Sequence, residues 1–151
     1  MTTVTHSRDV HIDAPVERVF DYIKHPENFY EAMHGADPDM DGLITKISMA
    51  PDDGVGSIYE WKSKILLIPF HSTTTREEFV PNVKIVDHTT TGVTWTYTVA
   101  MDGSGTKLGL RGDVTNPVPG LAKIEDSIAW DGEEDLDKML ATYKESIEAL
   151  P

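Results

Sequence analysis

The sequence predicts an α+β fold, and three observations carry that prediction. Residues 3–13 alternate polar and apolar until Ala14-Pro15, where helical spacing takes over. Six β-branched and aromatic segments of period two then lie between residues 42 and 114, separated by turn chemistry. From Pro119 to Leu150 the helical period returns. The expected order is one strand, two short helices, six more strands and a long C-terminal helix.

Each element has its local reason. Val10 and Ile12 share a face of the first strand. Pro15 suits the first turn of a helix, where a missing N–H costs nothing. Val16, Val19, Phe20 and Ile23 then form one apolar stripe, and Pro26 stops that helix. "PENFYEAM" reads as a second short helix and "HGADPDMDG" as a polar loop. The strands are expected in "GLITKISM", "GSIYEWKSKIL", "FHSTTTREEFV", "VKIVDHTTT", "VTWTYTVAM" and "TKLGLRGDV". "PDDGVG" and "DGSG" carry Asp-Gly steps and "VPN" is a corner, so consecutive strands are joined by a few residues and should form an antiparallel meander.

The C-terminal stripe comprises Leu121, Ile124, Ile128, Leu136, Met139, Leu140, Tyr143, Ile147 and Leu150. Gly132 falls on it, and two readings compete. Asp131 with Glu134 could start a new helix as a capping pair, or one helix runs through and Gly132 is a gap in its apolar face. The stripe keeps its phase across the glycine, which favours the continuous helix.

Bulk properties limit the function. At 151 residues the chain is expected to form a single domain, 1–151, and to bury roughly 70% of the surface its unfolded form exposes. Hydrophobic content of 39% and charged content of 26% fit a globular protein. The longest apolar run, "ILLIPF", is strand-sized, so no membrane insertion is expected. "MTTVTHSRDV" lacks the regions of a signal peptide, and a cytoplasmic address is the default expectation. With no cysteine there is no disulfide framework or thiolate nucleophile. A net charge of −13 repels phosphate backbones and anionic lipid, so nucleic acid is a poor partner for this acidic protein.

This order of elements is joined by four stretches: "VHIDAPVERVFDYIKHPENF" at 10–29, "GVGSIYEW" at 54–61, "EEFVPNVKIV" at 77–86 and "GSGTKLGL" at 103–110. Together they resemble the START-like superfamily of the polyketide cyclase/dehydrase and lipid-transport type, over nearly the whole chain. The resemblance implies a helix-grip fold. In that fold a curved seven-stranded antiparallel sheet is plugged at one end by the two short helices. The long C-terminal helix crosses its concave side and encloses a cavity for an apolar ligand. No cofactor is implied.

Alternation assigns the faces. Glu60, Lys62 and Lys64 must be solvated, so Tyr59, Trp61, Ser63 and Ile65 point inward. Val93, Trp95, Tyr97, Val99 and Met101 share an inner face against a row of threonines, and Leu108, Leu110 and Val114 go in, leaving Lys107, Arg111 and Asp113 out. If Phe79 is inward, a strict period of two takes His71, Thr73, Thr75 and Glu77 inward with it. The expected ligand-binding residues are therefore Tyr59, Trp61, Thr73, Thr75, Phe79, Trp95, Tyr97, Leu108, Leu110, Ile128, Gly132, Leu136 and Met139.

His71 and Glu77 are the inward candidates for acid-base chemistry. Six residues of extended strand hold them roughly 20 Å apart, far beyond a direct contact. Arg76-Glu77-Glu78 reads as a solvated strand edge. "GSGTK" lacks the Walker spacing and leads into a strand, which makes it a hairpin turn. His6, His11, His25, His34, His71 and His88 include no pair at metal-ligand spacing on one helix, so no metal site is expected.

Three functions fit. The leading one is a carrier or sensor, monomeric or weakly dimeric, of a small hydrophobic or aromatic molecule. The second is a cyclase/dehydratase-type enzyme. The third is a protein-interaction role in a chaperone or quinone-linked complex, which would show as an apolar patch outside the pocket.

Overall fold

A computed structural model describes residues 3–36, 41–65, 68–115 and 132–151. Strand β1 (Thr3–Ile12) leads into helices α1 (Val16–Ile23) and α2 (Pro26–Ala36). Strands β2 (Asp41–Ser48), β3 (Ile58–Ile65), β4 (Ile68–Val80), β5 (Lys84–Thr89), β6 (Val93–Asp102) and β7 (Gly105–Thr115) follow, and helix α3 (Gly132–Glu148) ends the chain. The seven strands form one curved antiparallel sheet in the order β1-β7-β6-β5-β4-β3-β2. It is the expected meander, with β1 returning to pair with β7.

The turn at Ala14-Pro15 works as the sequence suggests, one residue earlier. Pro15 is the N-cap residue of α1, and its carbonyl accepts the Val19 N–H at 3.1 Å. Thr106 Oγ1 donates to the Ala14 carbonyl at 2.7 Å, fixing the exit from β1 against the β6–β7 hairpin. Helix α2 runs to Ala36, past the expected "PENFYEAM".

The core lies between the inner sheet face and the three helices. It joins Val19, Phe20 and Ile23 of α1 and Phe29 and Ala32 of α2 to Ile85, Tyr97, Leu108 and Leu110 of the sheet. Leu136, Met139, Leu140, Tyr143 and Ile147 of α3 complete it. The α3 stripe is as expected over these positions; Leu150, beyond the helix, is exposed. Leu121, Ile124 and Ile128 lie outside the described residues, as does the chain before Gly132 whose course would settle the one-helix reading. No helix of the described residues is long and apolar enough to cross a membrane.

Helix α3 packs chiefly on β1 and α2. The approach to α2 is close at Gly35, where a Cβ would stand 2.1 Å from Thr142 Oγ1.

Two face assignments need correction. Met101 is 82% exposed, because β6 runs past the rim of the core towards the Gly103 turn. The larger correction is in β4. Its inner face carries Ser72, Thr74 and Arg76, all buried, while His71 and Glu77 are exposed and Thr73 and Thr75 take the opposite side. The cause is a bulge: Arg76 pairs with Asp87 and Glu78 with Val86, leaving Glu77 without a partner residue. An extra residue in one strand reverses the alternation across it. Phe79 does pack against the core, but counting back from it in twos gives the wrong face.

Candidate functional site

The bulge places a charged pair inside the protein. Arg76 Nε–H donates to Asp87 Oδ1 at 2.8 Å and Nη2–H to Asp87 Oδ2 at 3.0 Å. Both side chains are 1% exposed. The reading of Arg76-Glu77-Glu78 as a solvated edge thus fails at its first residue. Arg76 Nη1 donates to the carbonyls of Lys24 at 2.8 Å and Asp53 at 2.7 Å, joining the α1 C-terminus and the β2–β3 connection to the inner sheet. The guanidinium carbon also lies 6.0 Å from the Phe79 ring centroid.

Tyr59 completes the network by donating its phenolic proton to Asp87 Oδ2 at 3.0 Å. The Asp87 oxygens therefore accept three hydrogen bonds. Burial works against the Arg76 charge, yet the hydrogen bonds and attraction of Asp87 outweigh it and hold the guanidinium above its ordinary range. Burial, reinforced by the Asp87 charge, pushes the Tyr59 phenol well up.

Two more phenols share this region. Tyr97, opposite Ile85 on β6, is buried and its ionisation is pushed well up, first by burial and then by Tyr143 and Tyr59. Tyr143 of α3 is 1% exposed, and burial likewise raises its phenol far above the ordinary range, with the nearby Tyr97 hydroxyl pulling the other way. Although Tyr97 is that near, the two hydroxyls do not meet hydrogen-bond length and angle. Tyr143 Oη is buried with no hydrogen-bond partner among the described residues. An unmet buried hydroxyl costs about 1–3 kcal/mol. All three phenols are neutral donors rather than phenolates at physiological pH.

Aromatic rings continue the inner face. Phe29 of α2 meets Trp95 edge-on at 5.2 Å, and Trp61 and Tyr97 at 6.3 Å each. Tyr30 lies 5.6 Å from Trp61, and Tyr22 lies 6.1 Å from Tyr143. Phe29 therefore fills part of the space that the sequence assigned to ligand beside the tryptophans.

Of the residues expected to line a site, Tyr59, Trp95, Tyr97, Leu108, Leu110, Leu136 and Met139 are buried, and Trp61 and Phe79 are partly buried against the core. Thr73 and Thr75 turn away from it, for the reason given above. Ile128 lies outside the described residues, and Gly132 is described only as the first residue of α3. His71 is exposed and bonds Glu60 on the outer face, and Glu77 is exposed at the bulge, so neither acid-base candidate reaches the interior. Among the described residues no cluster of His, Asp and Glu has the arrangement of a metal site.

Sequence reasoning missed Arg76, Asp87 and the polar role of Tyr143. A signal for Asp87 was present. Ile85, Asp87 and Thr89 alternate on β5, so an inward Ile85 brings Asp87 with it, and a buried carboxylate requires a donor partner.

A curved seven-stranded antiparallel sheet with a C-terminal helix packed on it defines the helix-grip class. Within that class the chain belongs to the polyketide cyclase / dehydrase and lipid transport family, which it matches over residues 1–148. Its sequence matches none of the curated proteins. Solved structures of the same fold include the KanY protein, with a TM-score of 0.70 and 17% identity over 99% of this chain and 100% of that one. Ara h 8.0201 gives 0.66 at 8% identity, over 99% and 100%. The Zhui aromatase/cyclase from Streptomyces sp. R1128 gives 0.65 at 13% identity, over 97% and 94%. At such identities the likeness is one of fold.

Proposed function

We propose that residues 1–151 form one cytoplasmic domain that binds a small apolar or aromatic molecule between the inner sheet face and α3, as a carrier or sensor. The observation that carries this reading is the Arg76–Asp87–Tyr59 network, buried beside two further phenols on an otherwise apolar face. A core closed for stability alone gains little from a buried ion pair, which well-packed apolar residues replace at no loss. Ligand sites, in contrast, combine apolar walls with a few fixed polar groups. Trp61, Trp95, Tyr97, Leu110, Leu136 and Met139 supply the walls. Family membership supports the same reading.

Mass spectrometry of the native protein tests it. A co-purifying small molecule is expected, with displacement by an apolar fluorescent probe that quenches tryptophan emission. A protein that carries nothing and binds no apolar probe overturns the proposal.

One observation favours the cyclase/dehydratase reading as second choice. Tyr59 and Asp87 are an inward donor–acceptor pair at 3.0 Å. Asp87 is already saturated by Arg76, which makes it a poor proton acceptor. Turnover of a hydroxylated polyketide-like aromatic that falls about a thousandfold in Tyr59→Phe would put the enzyme first.

A further inference from the structure

The polar groups of the interior differ in how far they are committed. Four of the five Arg76 N–H groups are taken, two by Asp87 and two by the carbonyls of Lys24 and Asp53. Both Asp87 oxygens are taken as well. The pair is neutral as a unit and leaves no free cation to face a ligand. Tyr143 Oη differs: it is fully buried on the core stripe of α3, beside Tyr97, and has no partner among the described residues.

We infer that Tyr143 Oη, with the Tyr97 phenol beside it, is a hydrogen-bond-donating subsite for a neutral carbonyl or phenol oxygen of an apolar ligand, and that the site discriminates against carboxylates. This rests on the binding reading above and adds the ligand's charge and polarity. The hydroxyl is an unmet donor, so an oxygen acceptor that reaches it gains a bond at no loss of another. A carboxylate fares differently. It brings a second negative charge near Asp87, whose own counter-charge is spent, and a buried charge without a partner is strongly disfavoured. The chain's net charge of −13 opposes anions before they arrive. The polar group of the ligand therefore points towards α3 and its apolar body lies along the aromatic face.

Three probes of one shape separate the terms: 2-acetylnaphthalene, 2-ethylnaphthalene and 2-naphthoate, titrated by tryptophan quenching. The ketone should bind roughly 5–10-fold more tightly than the hydrocarbon, one neutral hydrogen bond's worth, and naphthoate should bind most weakly. In Tyr143→Phe the ketone should fall to the level of the hydrocarbon, whose own affinity stays unchanged. The unliganded variant should melt at the same temperature as the parent or higher, since the hydroxyl it loses was unmet. Equal binding of ketone and hydrocarbon by the parent, or preference for naphthoate, overturns the subsite and leaves the binding reading standing. A marked loss of melting temperature in unliganded Tyr143→Phe overturns it too, because the hydroxyl would then be satisfied within the protein. If none of the three binds, the binding reading fails and the subsite fails with it.

Discussion

Arg76 and Asp87 stand opposite one another on β4 and β5, joined by bonds of 2.8 and 3.0 Å with both side chains 1% exposed. The relationship depends on the bulge at Glu77, which turns Arg76 and Phe79 to the same side although they are three residues apart. A sheet of strict alternation would put one of them in water. The bulge therefore links local backbone geometry to the polar interior, and through the Arg76 bonds to Lys24 and Asp53 it also anchors the helical plug.

Removing one partner of this pair should be severe. Arg76→Met leaves Asp87 buried without its counter-charge, held by the Tyr59 hydroxyl alone, and frees two carbonyls, and a loss of about 3–5 kcal/mol is expected by urea denaturation. That is a large part of the 5–15 kcal/mol typical of a domain. The double variant Arg76→Met/Asp87→Leu should be more stable than Arg76→Met alone, since it removes the stranded charge. Equal stability of the two would show that the Lys24 and Asp53 contacts, rather than the charge pair, dominate.

A second prediction concerns pH. His11 Nδ1 meets Asp102 at 2.8 Å and Nε2 meets Asp13 at 2.9 Å, so the protonated ring donates to a carboxylate from each nitrogen. Hydrogen bonds donated to Asp102 and then to Asp13 raise its pKa above 6.5. Lys144, which donates to the His11 carbonyl, Glu148, which accepts from the Asp13 N–H, and Lys107, opposite His11 on β7, are further charged groups there. A group whose folded pKa is raised binds its proton more tightly when folded. Its contribution is fully present below pH 6.5 and fades as pH rises through the folded value. Melting temperature should therefore decline from near neutrality upward, and His11→Gln should flatten that decline. The same slope in parent and variant would assign it to another group.

The contact between α2 and α3 gives a third. Gly35→Ala would gain helix propensity of up to about 1 kcal/mol at an unhindered position. Here the new methyl would overlap Thr142 Oγ1 and stand 3.2 Å from its Cβ, so Thr142 and the turn of α3 that carries it must give way. A lower melting temperature is expected for Gly35→Ala, with partial recovery on adding Thr142→Ala. Stabilisation by Gly35→Ala alone would mean that the Thr142 side chain simply rotates away.

Much of this was legible in the sequence, for physical reasons that also explain the failures. Alternation and turn chemistry place all seven strands and order β2 to β7, because a meander needs only local signals; the pairing of β1 with β7 joins the two ends of the sheet and has no local signal. The inner faces of β6 and β7 follow from Trp95, Tyr97, Leu108 and Leu110, which sit in unbroken strands. In β4 the rule fails because a bulge has no signature in the alternation until the partner strand is known. Once Arg76 is taken for a surface residue, Asp87 loses its reason to be inside. Tyr143 lay on the expected stripe, but whether a buried hydroxyl is met depends on side chains from other elements. That belongs to tertiary structure alone.

The same bulge decides the fate of the two residues first considered for acid-base chemistry. With Glu77 exposed at the bulge and His71 bonded to Glu60 on the outer face, neither side chain touches the region between sheet and α3. His71→Ala and Glu77→Gln should thus leave probe affinity unchanged within error, where inward residues would have altered selectivity. His71→Ala removes an exposed contact with Glu60, and even a charged pair at such a site contributes only about 0–1 kcal/mol, so stability should barely move. Tyr59→Phe is the contrasting control. It leaves Asp87 Oδ2 with Arg76 alone and should lower stability by about 1–2 kcal/mol while changing ligand affinity. Titration of one fluorescent probe against all three variants checks the set. A large loss of affinity in His71→Ala or Glu77→Gln would mean that ligand reaches the outer face, and would move the site off the inner sheet.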